Sequence, residues 1–168
     1  GNTSSLGIEQ RVPTTPTAPV GSNSFNTYKN LSVSNCYNGV LLSGNATYPD
    51  SACIIGNTSP TAFNSIGAAS ANDIGNGSSA SYGIKATSQK NVSIYNNEVR
   101  NVTVTGSNTT DGIFLDLGQG LCSVYNNKVH DLKSTSTSST SGISGIRANL
   151  ATTGTNTARV YNNFVSGL

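Results

Sequence analysis

The chain has 168 residues, of which 10 % are charged and 35 % hydrophobic, with a formal net charge of +2. So few charges argue against a chain held open by charge repulsion, and the scattered Lys and Arg residues make no basic stripe for nucleic acid. No run of about 18 apolar residues is present to cross a membrane as a helix.

Residues 1–22 carry Pro13, Pro16 and Pro19 in a Thr-rich run and read as an extended linker or an irregular edge. A domain from 23 to 168 follows. Leu31-Ser32-Val33 alternates like a short strand, Gly39-Val40-Leu41-Leu42 follows, and Cys53-Ile54-Ile55-Gly56-Asn57 ends the first, degenerate unit. Residues 59–80 read as a loop-rich insertion. Three cysteines, Cys36, Cys53 and Cys122, cannot all pair within the chain. Buried thiols are the plain reading, with a Cys36–Cys53 disulfide as the alternative.

From Tyr82 onward the chain repeats itself. Tyr-Asn-Asn occurs at Tyr95, Tyr125 and Tyr161, each time after a branched residue (Ile94, Val124, Val160). Each copy then meets Val99, Val129 or Val165, and closes on Val102, Leu132 or Leu168. Upstream lies a Gly-Ile pair: Gly83-Ile84, Gly112-Ile113 and Gly145-Ile146. The copies are about 30 and 36 residues apart, and the extra residues fall in polar stretches, as a solenoid tolerates. Within a copy the period is 2, so Ile84, Val92, Ile94 and Val99 point inward and Lys85, Ser93, Tyr95 and Glu98 outward. Such a unit buries its inner face only by stacking on the next, which also satisfies its backbone. The fold class is therefore all-β, a right-handed parallel β-helix. The chain stops at Leu168, a core position without a polar cap, so it is expected to be a fragment of a longer β-helix. Asn96, Asn126 and Asn162 are expected to form an asparagine ladder at one corner.

These motifs resemble the parallel β-helix repeats of the pectate-lyase-like superfamily. More closely, Gly-Ile-x-x-Asp with Val-Tyr-Asn-Asn-Lys-Val-His-Asp-Leu resembles repeats of large exported proteins of gliding Gram-negative bacteria. The resemblance implies a secreted or cell-surface location. It leaves function open, since one solenoid hosts lyases, hydrolases, adhesins and stalks. Enzymes of this kind use clustered carboxylates, with calcium and a basic residue in lyases or as paired acids in hydrolases. Aligning the copies puts Lys85, Phe114 and Arg147 in one outward row and Thr87, Asp116 and Asn149 in the next, which gives one carboxylate beside two cations. His130 is the only histidine and sits between Arg100 and Ser166, and Glu98 lies under Lys128 as a cross-strand pair.

No catalytic residue, metal or cofactor is assigned. The candidate ligand-binding residues are Tyr95, Tyr125 and Tyr161, stacked on the outside, with Lys85, Phe114, Arg147 and Asp116. The function expected is a non-catalytic structural or adhesive module. The alternatives are a polysaccharide lyase or glycoside hydrolase whose catalytic coils lie elsewhere, or a carbohydrate-binding module. Candidate partners are a polysaccharide or cell-surface glycan and further coils or domains of the same protein. A flat Thr array for ice is not repeated, and the Asn-x-Ser/Thr sequons, Asn45 and Asn101 among them, follow from composition.

Overall fold

The fold is seen in a computed structural model that describes residues 5–12, 23–59, 61–136 and 141–168. Those residues form a parallel β-solenoid of about four turns, with no helix. Its long sheet stacks Leu6–Arg11, Asn38–Ser43, Ser81–Thr87, Thr110–Gly118 and Ile143–Leu150 in chain order, every pair parallel. A second sheet, which carries the tyrosines, stacks Thr27–Tyr28, Ile54–Gly56, Ser93–Tyr95, Leu121–Tyr125 and Thr157–Tyr161. A third stacks Ser32–Val33, Asn64–Ile66, Asn97–Arg100, Lys128–His130 and Phe164–Ser166. A short sheet of Ile74–Gly77, Val102–Val104 and Lys133–Ser134 and a two-stranded one of Asp50–Ser51 and Gln89–Lys90 complete the wall.

Columns of like residues fill the interior. Ile55, Ile94 and Val124 form one, and Ile66, Val99 and Val129 another, all fully buried. In the long sheet Leu42, Ala86, Leu115 and Ala148 alternate large and small in successive coils, so that each leucine has a short neighbour to pack over. The Gly-Ile step has a steric cause. Gly7, Gly39, Gly83, Gly112 and Gly145 face Val33, Ile66, Val99, Val129 and Val165 across the core, and a Cβ on any of these glycines would overlap the γ-methyl opposite. The long and third sheets approach so closely along this line that only hydrogen fits.

Corners are turned by single residues in the left-handed region. Asn96, Asn126 and Asn162 have φ of 51°, 53° and 53°, while Asn101, Asp131 and Gly167 make the next corner at 55°, 55° and 60°. Asn is the non-glycine residue that enters this region at least cost, which accounts for the abundance of Asn.

The corner also corrects the expected ladder. The first Asn of each pair makes the turn, and the turn aims the second one inward. The ladder is therefore Asn64, Asn97, Asn127 and Asn163, not Asn96, Asn126 and Asn162. Asn64 Nδ2 donates to Asn97 Oδ1 (2.9 Å), Asn97 Nδ2 to Asn127 Oδ1 (2.9 Å) and Asn127 Nδ2 to Asn163 Oδ1 (3.0 Å). Each side chain also reaches down to a carbonyl of the coil below: Tyr28, Ile55, Ile94 and Val124 in turn, at 3.0 Å.

Two stretches carry more of the stack than the sequence suggested. Residues 59–80, expected as a loop-rich insertion, contain the strands Asn64–Ile66 and Ile74–Gly77. The Asn-Asn pair is split there: Gly56 aligns with Tyr95 and Asn64 with Asn97, so the chain makes an excursion after Asn57 and resumes the coil at Asn64. Within residues 1–22, Gly7-Ile8 is a Gly-Ile step in register with Val40, on the strand Leu6–Arg11. The Pro/Thr-rich run at 13–22 lies outside the described residues. All three cysteines are free and buried, so the Cys36–Cys53 disulfide is not formed. Burial, with Asp73 adding to it, pushes the Cys36 thiol up to about 11.

The close approach of the two sheets gives a direct test. Gly112→Ala is expected to lose about 1–3 kcal/mol by overpacking, and Val129→Ala in the same molecule to return part of that loss. Urea unfolding of both single variants and the double variant measures the coupling. Strictly additive losses would show that the two rows do not touch.

Candidate functional site

The outward surface of the long sheet holds the densest group of charged and aromatic side chains. Lys85, Phe114 and Arg147 are in register on three successive strands, as the repeat implied, and Asp116 aligns with Thr87. Asn149 does not complete that second row. The register shifts between Leu115 and Gly118, where Leu117 adopts a φ of 54°, and Gly118 pairs with Leu150.

Although it points outward, Phe114 is only 5 % exposed. The Arg147 guanidinium lies 3.6 Å over its ring centroid, and Lys85 Nζ stands 5.2 Å from it and 4.7 Å from the Tyr82 centroid. Tyr82 stacks on Phe114 at 5.9 Å. Two carboxylates neutralise the cations: Arg147 Nη2 donates to Asp111 Oδ2 at 2.6 Å, and Lys85 Nζ is 3.8 Å from Asp116 Oδ2. Asp111 is fully buried, and among the described residues its Oδ1 has no hydrogen-bond partner. Burial raises its pKa above the ordinary 3.8, against the pull of Arg147. The Tyr82 phenol is raised as well, first by burial and then by Asp111.

Tyr82 and Asp111 belong to this group but were not singled out from the sequence. Each directly precedes the glycine of a Gly-Ile step, so they align as an outward row.

The tyrosines form the external ladder expected of them. Tyr95 and Tyr125 have ring centroids 4.9 Å apart at 13°, and Tyr125 and Tyr161 5.0 Å apart at 1°. The inner faces cover one another, while Tyr161, at the end of the row, is 45 % exposed. Burial, with Tyr95 and Tyr161 adding to it, raises the Tyr125 phenol.

On the third sheet Glu98 aligns with Lys128, yet the two do not form the expected pair. Lys128 Nζ sits 4.5 Å over the Phe63 ring instead. Glu98 faces His130 Nε2 at 3.5 Å and Arg100 at 4.0 Å, and His130 Nδ1 lies 2.7 Å from Asp131. A further polar cluster is internal. The fully buried Asp50 accepts from Gln10 Nε2 (2.7 Å), Gln89 Nε2 (3.4 Å) and Asn23 N (2.7 Å), and Tyr28 donates to Gln10 Oε1 at 2.5 Å. This cluster ties the first coil to the next two.

Among the described residues, no group of three His, Cys, Asp or Glu side chains is placed to hold a metal ion. Nor, among those residues, is any helix long and apolar enough to cross a membrane. No family model, curated protein or solved structure matches the chain.

The tyrosine ladder and the buried ion pair each generate a measurable expectation. Tyr125→Ala removes the middle ring, and loss of its stacking should cost about 0.5–1.5 kcal/mol in chemical unfolding. Unchanged stability with loss of binding to a polysaccharide would make the row a recognition surface.

For Asp111, the raised pKa means that the folded chain holds the proton more tightly than the unfolded one. Wild-type stability should therefore fall as pH rises through the interval just above 3.8, a loss that Asp111→Asn escapes. The urea midpoint of Asp111→Asn relative to wild type should accordingly rise across that interval and then level off. A difference that falls instead would show that the attraction of Arg147 outweighs burial.

Proposed function

We propose that this chain is a non-catalytic structural or adhesive module of an exported, cell-surface protein. The observation that carries the reading is the state of the outward ionisable groups. Asp111 is spent on Arg147 and Asp116 on Lys85, and both cations lie against aromatic rings. A general acid or base has to exchange a proton with a substrate, whereas these groups hold successive coils to each other. The asparagine and tyrosine ladders have the same character, since Asn97, Asn127 and Tyr125 each bind both the coil above and the coil below. The resemblance to exported repeat proteins, together with a composition dominated by small polar residues, supports the secreted or cell-surface location.

A carbohydrate-binding role is the second reading, favoured by one observation: the ring of Tyr161 ends its ladder with a partly open face. A polysaccharide or surface glycan is the partner that such a face would take. The alternative of a lyase or hydrolase would require catalytic groups on other coils.

Incubation of the purified chain with neutral and acidic polysaccharides is expected to release no reducing ends and no unsaturated products. Cleavage that disappears in Asp116→Ala or Lys85→Ala would overturn the non-catalytic reading. Retention on an immobilised polysaccharide that Tyr161→Ala abolishes would move the binding role to first place.

A further inference from the structure

The two ends of the stack differ. At the end formed by Leu6–Arg11, the outer strand carries an ion pair between Glu9 and Arg11, and Val33 in the third-sheet column is only 8 % exposed. Charged side chains on an edge strand discourage further pairing. At the other end the inward columns are uncovered. Val160 is 49 % exposed although Ile94 and Val124 beneath it are fully buried, and Val165 is 40 % exposed above the buried Val99 and Val129. Leu168, at the repeat position of the buried Val102 and Leu132, is 59 % exposed as well.

The polar pattern breaks off at the same level. The backbone N–H of Asn97 donates to Asn127 Oδ1, and that of Asn127 to Asn163 Oδ1. Each of these two asparagines also donates upward from Nδ2. In the described residues, Asn163 makes the downward bond to Val124 O but neither upward one.

We infer that this end is a docking face for a polypeptide coil of the same repeat type, added in parallel register, and that Asn163 selects it by requiring an asparagine Oδ1 at the matching corner. The face deepens the stacking role proposed above and is independent of any glycan. The two interfaces above Tyr95 and Tyr125 supply the same three kinds of group: a branched residue over each inward branched residue, a ring over the tyrosine, and an asparagine over the asparagine. A partner lacking the asparagine leaves two donors buried without an acceptor, which is costly in an interior. The first coil of a second copy is a poor occupant, because Leu31, not an asparagine, donates its N–H to Asn64 Oδ1 there.

The test is to append a second copy of residues 103–132, the coil whose Thr103 aligns with Lys133, directly after Leu168. Amide hydrogen exchange over 157–166 is then followed in the parent and in the extended chain. The unaltered coil should raise the thermal midpoint and slow those amides by about tenfold or more. Alanine in place of the appended copy of Asn127 should remove most of that protection. Lysines in place of the copies of Val124 and Val129 should remove all of it, while the parent stack keeps its own melting transition. The inference is overturned if the unaltered coil leaves exchange and midpoint unchanged, or if the alanine form protects equally well. A two-chain species of the parent in sedimentation, dissolved by Val165→Lys, would overturn it too, since the occupant would then be a second copy meeting end to end.

Discussion

The line where the long sheet meets the third sheet fixes the cross-section of every coil. Five glycines stand opposite five β-branched residues, and the gap between the two backbones admits one side chain, not two. This constraint has to be met again in each turn, so it ties the length of the path between glycine and valine to the corners that lie on that path. A coil that satisfies it places its inward residues over those below, and the columns of Ile, Val and Leu follow. The same stacking joins backbone groups of neighbouring coils along the sheets.

Much of this was legible in the sequence, and what was missed has a physical reason. The parallel stack, the inward columns and the outward tyrosines all follow from a period of 2 repeated at intervals, because burial on one face leaves no freedom of register. The position of the asparagine ladder did not follow. A left-handed residue interrupts the alternation, so counting in twos across the corner assigns the wrong Asn to the inside. Gly7-Ile8 was hidden by the Pro/Thr-rich sequence after it, and Asn64 by its distance from Asn57. In both cases the residues that meet the geometric constraint are present, but not at the spacing that makes a repeat visible to the eye.

The outward rows show how far such a reading extends to a site. Alignment brought Lys85, Phe114 and Arg147 together correctly, since strand register alone decides that. It did not reveal what those side chains do once adjacent. Asp111 lies under Arg147, and the guanidinium covers the phenyl ring, so a surface that reads as a cation-rich binding strip is internally neutralised. Charges that balance across successive coils bind those coils to one another, and the same pairing withdraws them from solvent. The Asn149 row fails for a local reason: one left-handed residue, Leu117, takes the strand out of step after Leu115.

The split asparagine pair has a consequence for how such a chain can vary. Asn57 and Asn64 occupy the two places that Asn96 and Asn97 fill as neighbours, and the strands on either side of the inserted residues keep their register. The corner therefore acts as a port. Chain can be added between its two halves while the columns on both sides keep their partners, because the halves are held by the coil above through Asn96 and Asn97 and not by each other. New surface, with whatever recognition it carries, can be acquired at this port in one coil at a time, and the scaffold registers only the backbone carbonyl of Asn57 on one side and the side chain of Asn64 on the other.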